Sequence, residues 1–504
     1  MPNTGKSRLA SSKAPARRVN RKTSGGSPSP GLHAESKFAI AILAAGKGTR
    51  LKSRHPKVLH RIGGRPLLEH VVRAARQVVD PTDIFAVIGR EAERVRQALA
   101  PTGINFVLQT EQRGTGHAIM QAHNALANYD FFLVLSGDVP LIRPDTIRRV
   151  RDFHLHRAAA MTILTAEPDD PSGYGRIVRR KKGGRTTDVV AAIVEQKSAT
   201  SAQLKLREIN SGIYAFSSRP LFAHLDELTT DNPHQEFYLT DMAAILTGAG
   251  ETVAALPASD PAEVMGINTR LELARLDSLL RSRKADELMA AGVTIYRPET
   301  CMIDSDVSVA PDTVIDPFVQ LLGKTSIGNE CHIGSYSVVT DCELGNHVTV
   351  RPGCILSEAC VAEGAVLGPF SHLRPGADVG TGAHVGNFVE LKKTRLGNNS
   401  KANHLAYLGD ATIGDNVNIG AGTITCNYDG VLKHPTRIGN NVFIGSDSIL
   451  VAPVTIAPGA YVGAASCITS DVPEDALALS RSPQVNKLGW AKKKREQRQA
   501  AGNK

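Results

Sequence analysis

Residues 361–419 read VAEGAVLGPFSHLRPGADVGTGAHVGNFVELKKTRLGNNSKANHLAYLGDATIGDNVNI. An aliphatic or small apolar residue, usually followed by Gly or another small residue, returns six positions later: Val361 and Leu367, Val379 and Val385, Leu396 and Ala402, Ile413 and Ile419. The first members, at 361, 379, 396 and 413, fall 17–18 residues apart. Three six-residue faces per turn make a triangular coil, so each of these residues returns to the same interior place in every turn. Helical periodicity cannot generate this spacing, and an antiparallel sandwich needs turns at less regular intervals. Outward from the quoted stretch the same pairs continue as Ile327 and Ile333, Ile438 and Ile444, and Ile456 and Val462. The fold expected after about residue 300 is therefore a parallel β-helix of hexapeptide repeats. The segment TCNYDGVLKHPTR, between Thr425 and Arg437, breaks the rhythm and is expected to project as a loop.

Before the repeat the texture differs. Across 38–265, strand-like runs such as FAIAILAAG and FFLVLSGDVPL alternate with helix-like stretches such as LLEHVVRAARQVV. That alternation points to a parallel, doubly wound, Rossmann-like α/β domain, whose ligands sit beyond the carboxyl ends of the strands. Between the two textures, Asn268 to Gly292 carries a leucine stripe among charges, with Asn268 or Thr269 available to cap its start and Gly292 after its end. A linker helix within 266–293 is expected, followed by the β-helix over 294–490.

The chain has 504 residues and a net charge of +10. Residues 1–37 hold eight Lys or Arg and one acid, and residues 481–504 hold the same. Subtracting these two excesses of +7 from +10 leaves a body of −4. The positive charge belongs to the ends, read as a disordered basic extension (1–37) and a solvated basic tail (491–504). Neither nucleic acid nor membrane is an expected partner of the folded part. The rival, a scaffold that uses these tails on nucleic acid or anionic lipid, predicts salt-sensitive binding. No apolar run approaches the ~18 residues of a membrane span, and no secretory leader precedes Phe38, so a cytoplasmic protein is expected. All seven cysteines lie at or after Cys301 without CxxC spacing, which suggests buried free thiols rather than a metal or disulfide framework.

Two constellations carry chemistry. Leu43-Ala44-Ala45-Gly46 and the following Gly48 come directly off the first strand, where small residues let backbone amides approach phosphate. Arg50 and Lys57 add cationic donors. Asp138, at the end of FFLVLSGD, is placed either to hold Mg²⁺ against triphosphate oxygens or to cap a helix. On the β-helix, Arg374, Lys392, His404, Tyr407, Asn418 and Lys433 form a dense polar set. Three cations there can grip a sugar phosphate, and a neutral His404 can take a proton from an amine.

LAAGKGTRL, PKVLH, EQRGTGHA and GDVPL, in that order, resemble the sugar-nucleotide pyrophosphorylases. With EINSGIY, QEFYLTD, GINTR and the β-helix, the chain resembles the bacterial bifunctional N-acetylglucosamine-1-phosphate uridyltransferases/glucosamine-1-phosphate acetyltransferases over about 38–490. The resemblance implies a left-handed β-helix and synthesis of UDP-N-acetylglucosamine for peptidoglycan and lipopolysaccharide precursors. Acetyl-CoA and UTP would be substrates, Mg²⁺ the cofactor held by Asp138 and Asn268, and the assembly a homotrimer. It places the uridine nucleotide on Leu43, Ala44, Ala45, Gly46, Gln109, Gly114 and Thr115, beside Ser136, Gly137 and Asp138. It places the acetamido sugar on Gly175, Glu195, Asn210, Tyr238 and Thr240. His404 would be the acetyl-transfer base, with acetyl-CoA along Ala421, Asn427, Tyr428, Ser446, Ala464 and Arg481. Glu390, close to His404 in the motif, reads either as the group that orients it or as an ordinary exposed carboxylate. Members often carry Tyr before the GD where this chain has Ser136, which removes an aromatic wall. The alternative is a pyrophosphorylase whose β-helix serves only oligomerisation.

Overall fold

The computed structural model describes residues 37–46, 48–182 and 185–502. The basic extension expected over 1–37 lies outside the described residues, except for Lys37, whose amide donates to the Asp130 carboxylate (3.0 Å).

The amino-terminal domain is built on a nine-stranded sheet. Strand Phe38–Leu43 lies at its centre, parallel to Ile84–Ile88 on one side and Phe131–Ser136 on the other. Its residues alternate between faces, as a strand buried on both sides must. Ile40 and Ile42 pack with Leu68, Val71 and Val72 of helix Leu67–Arg76. Ala39 and Ala41 pack with Ala118, Ile119 and Ala122 of helix Thr115–Leu126. The doubly wound expectation holds, but the sheet is mixed. Strand Ile209–Ser217 runs antiparallel to both Phe131–Ser136 and Met161–Ala166. An antiparallel arm, Arg176–Lys182 with Arg185–Val194, intervenes in the chain and returns it in the opposite direction.

The linker helix is Arg270–Ala290. Thr269, not Asn268, caps it: its hydroxyl accepts from the Glu272 amide, and the Glu272 carboxylate accepts from the amides of Thr269 (2.7 Å) and Asn268 (2.7 Å). This reciprocal box satisfies orphan donors at the helix start and fixes the backbone of Asn268. The helix also braces the domain junction. Arg281 bonds Asp277 (2.9 Å) and Asp304 (2.8 Å), and Asp277 accepts from the Gly63 amide (2.7 Å). Arg65 pairs with Asp306, so the hairpin around Gly63 is tied to the first β-helix coil.

From Thr294 to Ala478 the chain winds through three parallel sheets of eleven, ten and nine strands, a left-handed β-helix of hexapeptide repeats. The spacing read from the sequence becomes register: Val361 pairs with Val379, and Leu396 with Ile413. On the next sheet Leu367 pairs with Val385, and Ala402 with Ile419. Leu373 and Leu391 occupy the third face. All are buried in one continuous core.

One corner of the coil carries Phe318, Tyr336, Phe370, Phe388 and Leu405, all exposed and all with positive φ. Phe318 stacks on Tyr336 (5.1 Å) and Phe370 on Phe388 (5.8 Å). The expected excursion projects between strands Ile424–Cys426 and Thr436–Ile438.

Two expectations need correction. Cys301, Cys331, Cys342 and Cys354 are buried, Cys426 is half-buried, and Cys360 and Cys467 are exposed. The last two occupy the outward position of two-residue strands whose Val361 and Ile468 point inward. The basic tail is not structureless: Trp490–Gly502 forms an exposed helix, because its run of Ala, Lys, Arg, Gln and Glu is strongly helix-forming.

Candidate active sites

At the carboxyl end of the central strands a cleft of about 410 Å³ opens, lined by Leu43 to Gly46, Gly48, Thr49, Arg50, Lys57, Gln109, Gly114, Thr115, Ser136, Asp138 and Asn268. Three bonds anchor its floor: the Ala44 amide donates to Val87 O (2.8 Å), the Gly137 amide to Leu43 O (2.9 Å), and the Ile267 amide to Asp138 O (3.0 Å). Asp138 is therefore not a helix cap. Its carboxylate receives the Lys57 ammonium, which also donates to Asn268 Oδ1 (2.8 Å). Arg50 donates to that same Asn268 oxygen (2.8 Å). Two hard oxygen donors thus converge on one cationic centre, flanked by a second cation.

Gln109 donates to Gly114 O (3.1 Å) and contacts His117 Nδ1 (3.1 Å), which holds the glycine turn over the cleft. Gly114 has φ +107°, and a Cβ there would meet Phe237 O at 2.5 Å, so only glycine fits. Ser136 lines the cleft opposite Gly212, whose Cβ would lie 3.4 Å from the serine hydroxyl.

The expected sugar side forms a shelf beside this cleft. The Asn210 amide donates to Gly175 O (2.9 Å), and the Asn210 side chain donates to the Tyr214 hydroxyl (2.8 Å). A Cβ on Gly175 would come within 3.5 Å of Glu195 Oε1. Burial, and then the nearby charge of Asp241, push the Glu195 carboxyl above its ordinary range, while a bond from Thr240 pulls it back. Tyr238 is half-exposed rather than core, and the next residue's amide donates to the Thr115 hydroxyl (3.1 Å), which joins shelf to cleft.

The second set lies on the β-helix surface. Lys392 pairs in register with Gly409, and Glu390 with Tyr407. A Cβ on Gly409 would meet the Tyr407 hydroxyl at 2.5 Å and Asn427 Nδ2 at 2.8 Å, so glycine makes room for both side chains. Asn427 donates to Asp410. Lys433 reaches back from the excursion to Lys392, whose proximity lowers the Lys433 ammonium below the usual lysine range. The Tyr428 hydroxyl donates to Gly430 O (2.6 Å), and Asp429 pairs with His434 (2.8 Å), which shapes the excursion.

His404 faces outward, around the coil corner from Tyr407. Its partner differs from the one expected. Glu390 is engaged by Arg374 (2.9 Å) and lies 3.9 Å from His372, whereas His404 Nδ1 bonds Asn387 Oδ1 (2.9 Å). Arg374 therefore carries a counter-charge, leaving Lys392 and Lys433 as the cationic pair. Asn418 aligns with Lys401, three residues from His404 along the strand.

Of the expected acetyl-CoA residues, Ala421, Ser446, Ala464 and Arg481 stack at one corner, whereas Asn427 and Tyr428 lie one face further on, at the root of the excursion. A Cβ on Gly420 would meet the Ser446 amide, and one on Gly445 the Ala464 amide, each at 2.5 Å. The Asp447 amide donates to Ala421 O (2.7 Å), and Arg481 closes the column on Ala464 O (3.1 Å). Sequence reasoning read Gly48 and Thr49 only as part of the glycine-rich turn, and it missed Asn387 and Glu272. A signal existed for two: Thr269-x-x-Glu272 is a capping box, and Asn387 stands one 17-residue coil before His404.

Residues 40–291 match the MobA-like NTP transferase domain. Residues 306–341 and 324–358 match bacterial transferase hexapeptide repeats, and 435–470 the hexapeptide repeat of succinyl-transferase. A bifunctional protein GlmU of Koribacter versatilis is 64% identical over 459 residues, 91% of this chain and 97% of its own. One from Solibacter usitatus is 51% identical over 91% of this chain and 98% of its own. A solved CMP:2-keto-3-deoxy-manno-octonic acid synthetase complexed with CTP aligns with 49% of this chain and 100% of its own, at 20% identity and a TM-score of 0.38. With a nucleotidyltransferase cleft and a hexapeptide acyltransferase surface in one polypeptide, both spanned by these relatives, the chain belongs to the family of the bifunctional GlmU proteins, uridyltransferase and acetyltransferase together.

Proposed function

We propose that the β-helix site acetylates glucosamine 1-phosphate and that the amino-terminal cleft then joins the product to UMP. Lys392 and Lys433 hold the sugar phosphate. His404 takes a proton from the 2-amino group as its nitrogen attacks the acetyl-CoA thioester. The C–N bond forms, the C–S bond breaks, and CoA leaves as its thiol, so no acyl-enzyme is needed. The column of Ala421, Ser446 and Ala464 leaves a smooth path for the pantetheine arm, with Arg481 suited to the CoA phosphates. In the cleft, an oxygen of N-acetylglucosamine 1-phosphate attacks the α-phosphorus of UTP and pyrophosphate departs.

Every group in that second reaction is anionic, so positioning and charge neutralisation outweigh a protein nucleophile. Arg50 and Lys57 supply cations. Asp138 and Asn268 fit Mg²⁺, because their oxygens already converge on the Lys57 ammonium and such a site needs only one or two protein oxygens beside substrate phosphates. Bound there, Mg²⁺ would neutralise triphosphate charge. Glu195, Asn210, Tyr238 and Thr240 would receive the acetamido sugar.

The corner ridge supports a homotrimer, since stacked exposed aromatics on a soluble chain mark an assembly face. His404 immediately precedes the ridge residue Leu405, so a neighbour packed there would enclose the imidazole. A cytoplasmic enzyme follows from UTP and acetyl-CoA as substrates. Among the described residues no helix is long and apolar enough to cross a membrane.

The observation that carries the reading is an outward His404 on the same coils as adjacent Lys392 and Lys433, which a purely oligomerising β-helix does not require. Purified protein given glucosamine 1-phosphate, acetyl-CoA, UTP and Mg²⁺ should yield UDP-N-acetylglucosamine by mass detection. Each omission should stop one step. Failure to release CoA from acetyl-CoA plus glucosamine 1-phosphate would leave the β-helix a scaffold.

A further inference from the structure

Among the described residues the side chain bonded to the His404 ring is an amide, and its position is set by a steric demand one residue earlier. Strands His384–Asn387 and Lys401–His404 lie in parallel register on successive coils, with Asn387 directly opposite His404. A Cβ on Gly386 would fall 1.9 Å from Asn403 O, so the coils approach this closely only with glycine there. The Leu405 amide donates to Asn387 O (3.1 Å), pinning the backbone on the far side of the pair. Asn387 Oδ1 then lies 2.9 Å from His404 Nδ1.

We propose that Asn387 is the positioning residue that selects the His404 tautomer. A carboxamide oxygen accepts only, so Nδ1 must carry the ring proton and donate it, and the lone pair is left on Nε2. That nitrogen belongs to an exposed residue and is the one able to take a proton from an amine. Glu390, the carboxylate nearest in sequence, is meanwhile held by Arg374.

This inference rests on His404 as the acetyl-transfer base, and the test separates the two. In Asn387→Ala, kcat for acetyl transfer should fall about 10–100-fold, with the KM for glucosamine 1-phosphate within about twofold of wild type. Asn387→Asp, whose side chain also accepts, should restore most of kcat. ¹⁵N NMR of His404 should show the proton on Nδ1 in the wild type and Asn387→Asp, and a tautomer mixture in Asn387→Ala. A melting temperature and β-sheet circular dichroism like those of the wild type report that the β-helix of each variant is folded. If His404→Ala abolishes acetyl transfer while Asn387→Ala keeps wild-type kcat, or if the wild-type ring carries its proton on Nε2, the tautomer inference fails and the base reading stands. If His404→Ala retains acetyl transfer, both fail.

Discussion

In the amino-terminal cleft the cations that face the reacting phosphates already have oxygen partners: Lys57 rests on Asp138 and Asn268, and Arg50 on Asn268. On the β-helix, Lys433 stands beside Lys392, and a hydrogen bond with Lys392, and then its charge, lower the Lys433 ammonium below the usual lysine range. The cleft is concave and its charges are balanced within one chain. The β-helix site is an exposed face beside an apolar ridge, with two ammonium groups next to one another. A doubly wound sheet makes a cavity from its own loops, whereas a solenoid offers only flat faces and corners, so enclosure must come from a neighbour.

The sharpest break between the two sites should come from His404→Ala. Acetyl transfer is expected to fall about 10²–10⁴-fold, with uridylyl transfer unchanged when each half-reaction is assayed alone. The mirror experiment is Asp138→Asn, which should lower uridylyl transfer about 10²–10³-fold and leave CoA release intact. A chelator added to wild type should show the same asymmetry, and equal loss of both activities would refute the division. Replacing Phe370 and Phe388 together by Asp should dissociate the assembly in sedimentation. Acetyl transfer should drop at least about tenfold while uridylyl transfer persists. A variant that stays trimeric would move the interface elsewhere.

Much of this was legible in the sequence. The 361/379/396/413 spacing made the coil period and register legible because one inward residue per face is a strict steric requirement. The glycine-rich turn, Lys57 and Asp138 were legible because each ends or follows a strand that can be traced. The orienting partner of His404 was misjudged. Glu390 is nearer in sequence, but the chain turns a corner at Phe388 and puts it on the next face, and the parallel ladder delivers Asn387 instead. The ion pair of Arg374 with Glu390 lies between coils, and no linear spacing announces it.

Two smaller effects sharpen the contrast. Gly386→Ala forces the 384–387 and 401–404 strands apart and should cost about 1–3 kcal/mol, seen as a lower melting temperature with acetyl transfer reduced more than uridylyl transfer. The smallest effect concerns pH. Because Lys392 lowers the Lys433 pKa, that proton is lost at lower pH than in an ordinary lysine, and the cradle weakens as pH rises. The KM for glucosamine 1-phosphate should therefore rise about two- to fivefold on the alkaline side. In Lys392→Met the rise should begin at higher pH; an unchanged profile would show that the two ammonium groups do not interact.

Sequence alone determined the local and the periodic. The strand alternation of residues 38–43, the capping box at Thr269 and the hexad rhythm each arise from neighbours within a few residues or from a repeat that restates one packing rule. Only the tertiary structure decided which polar groups meet. Lys57 finds Asn268 across 211 positions, and Asn387 finds His404 because two coils close over Gly386. Hydrophobic burial is roughly non-directional and can be read from composition and period. A hydrogen bond needs two atoms within about 3 Å, and that distance exists only once the backbone has been folded back on itself.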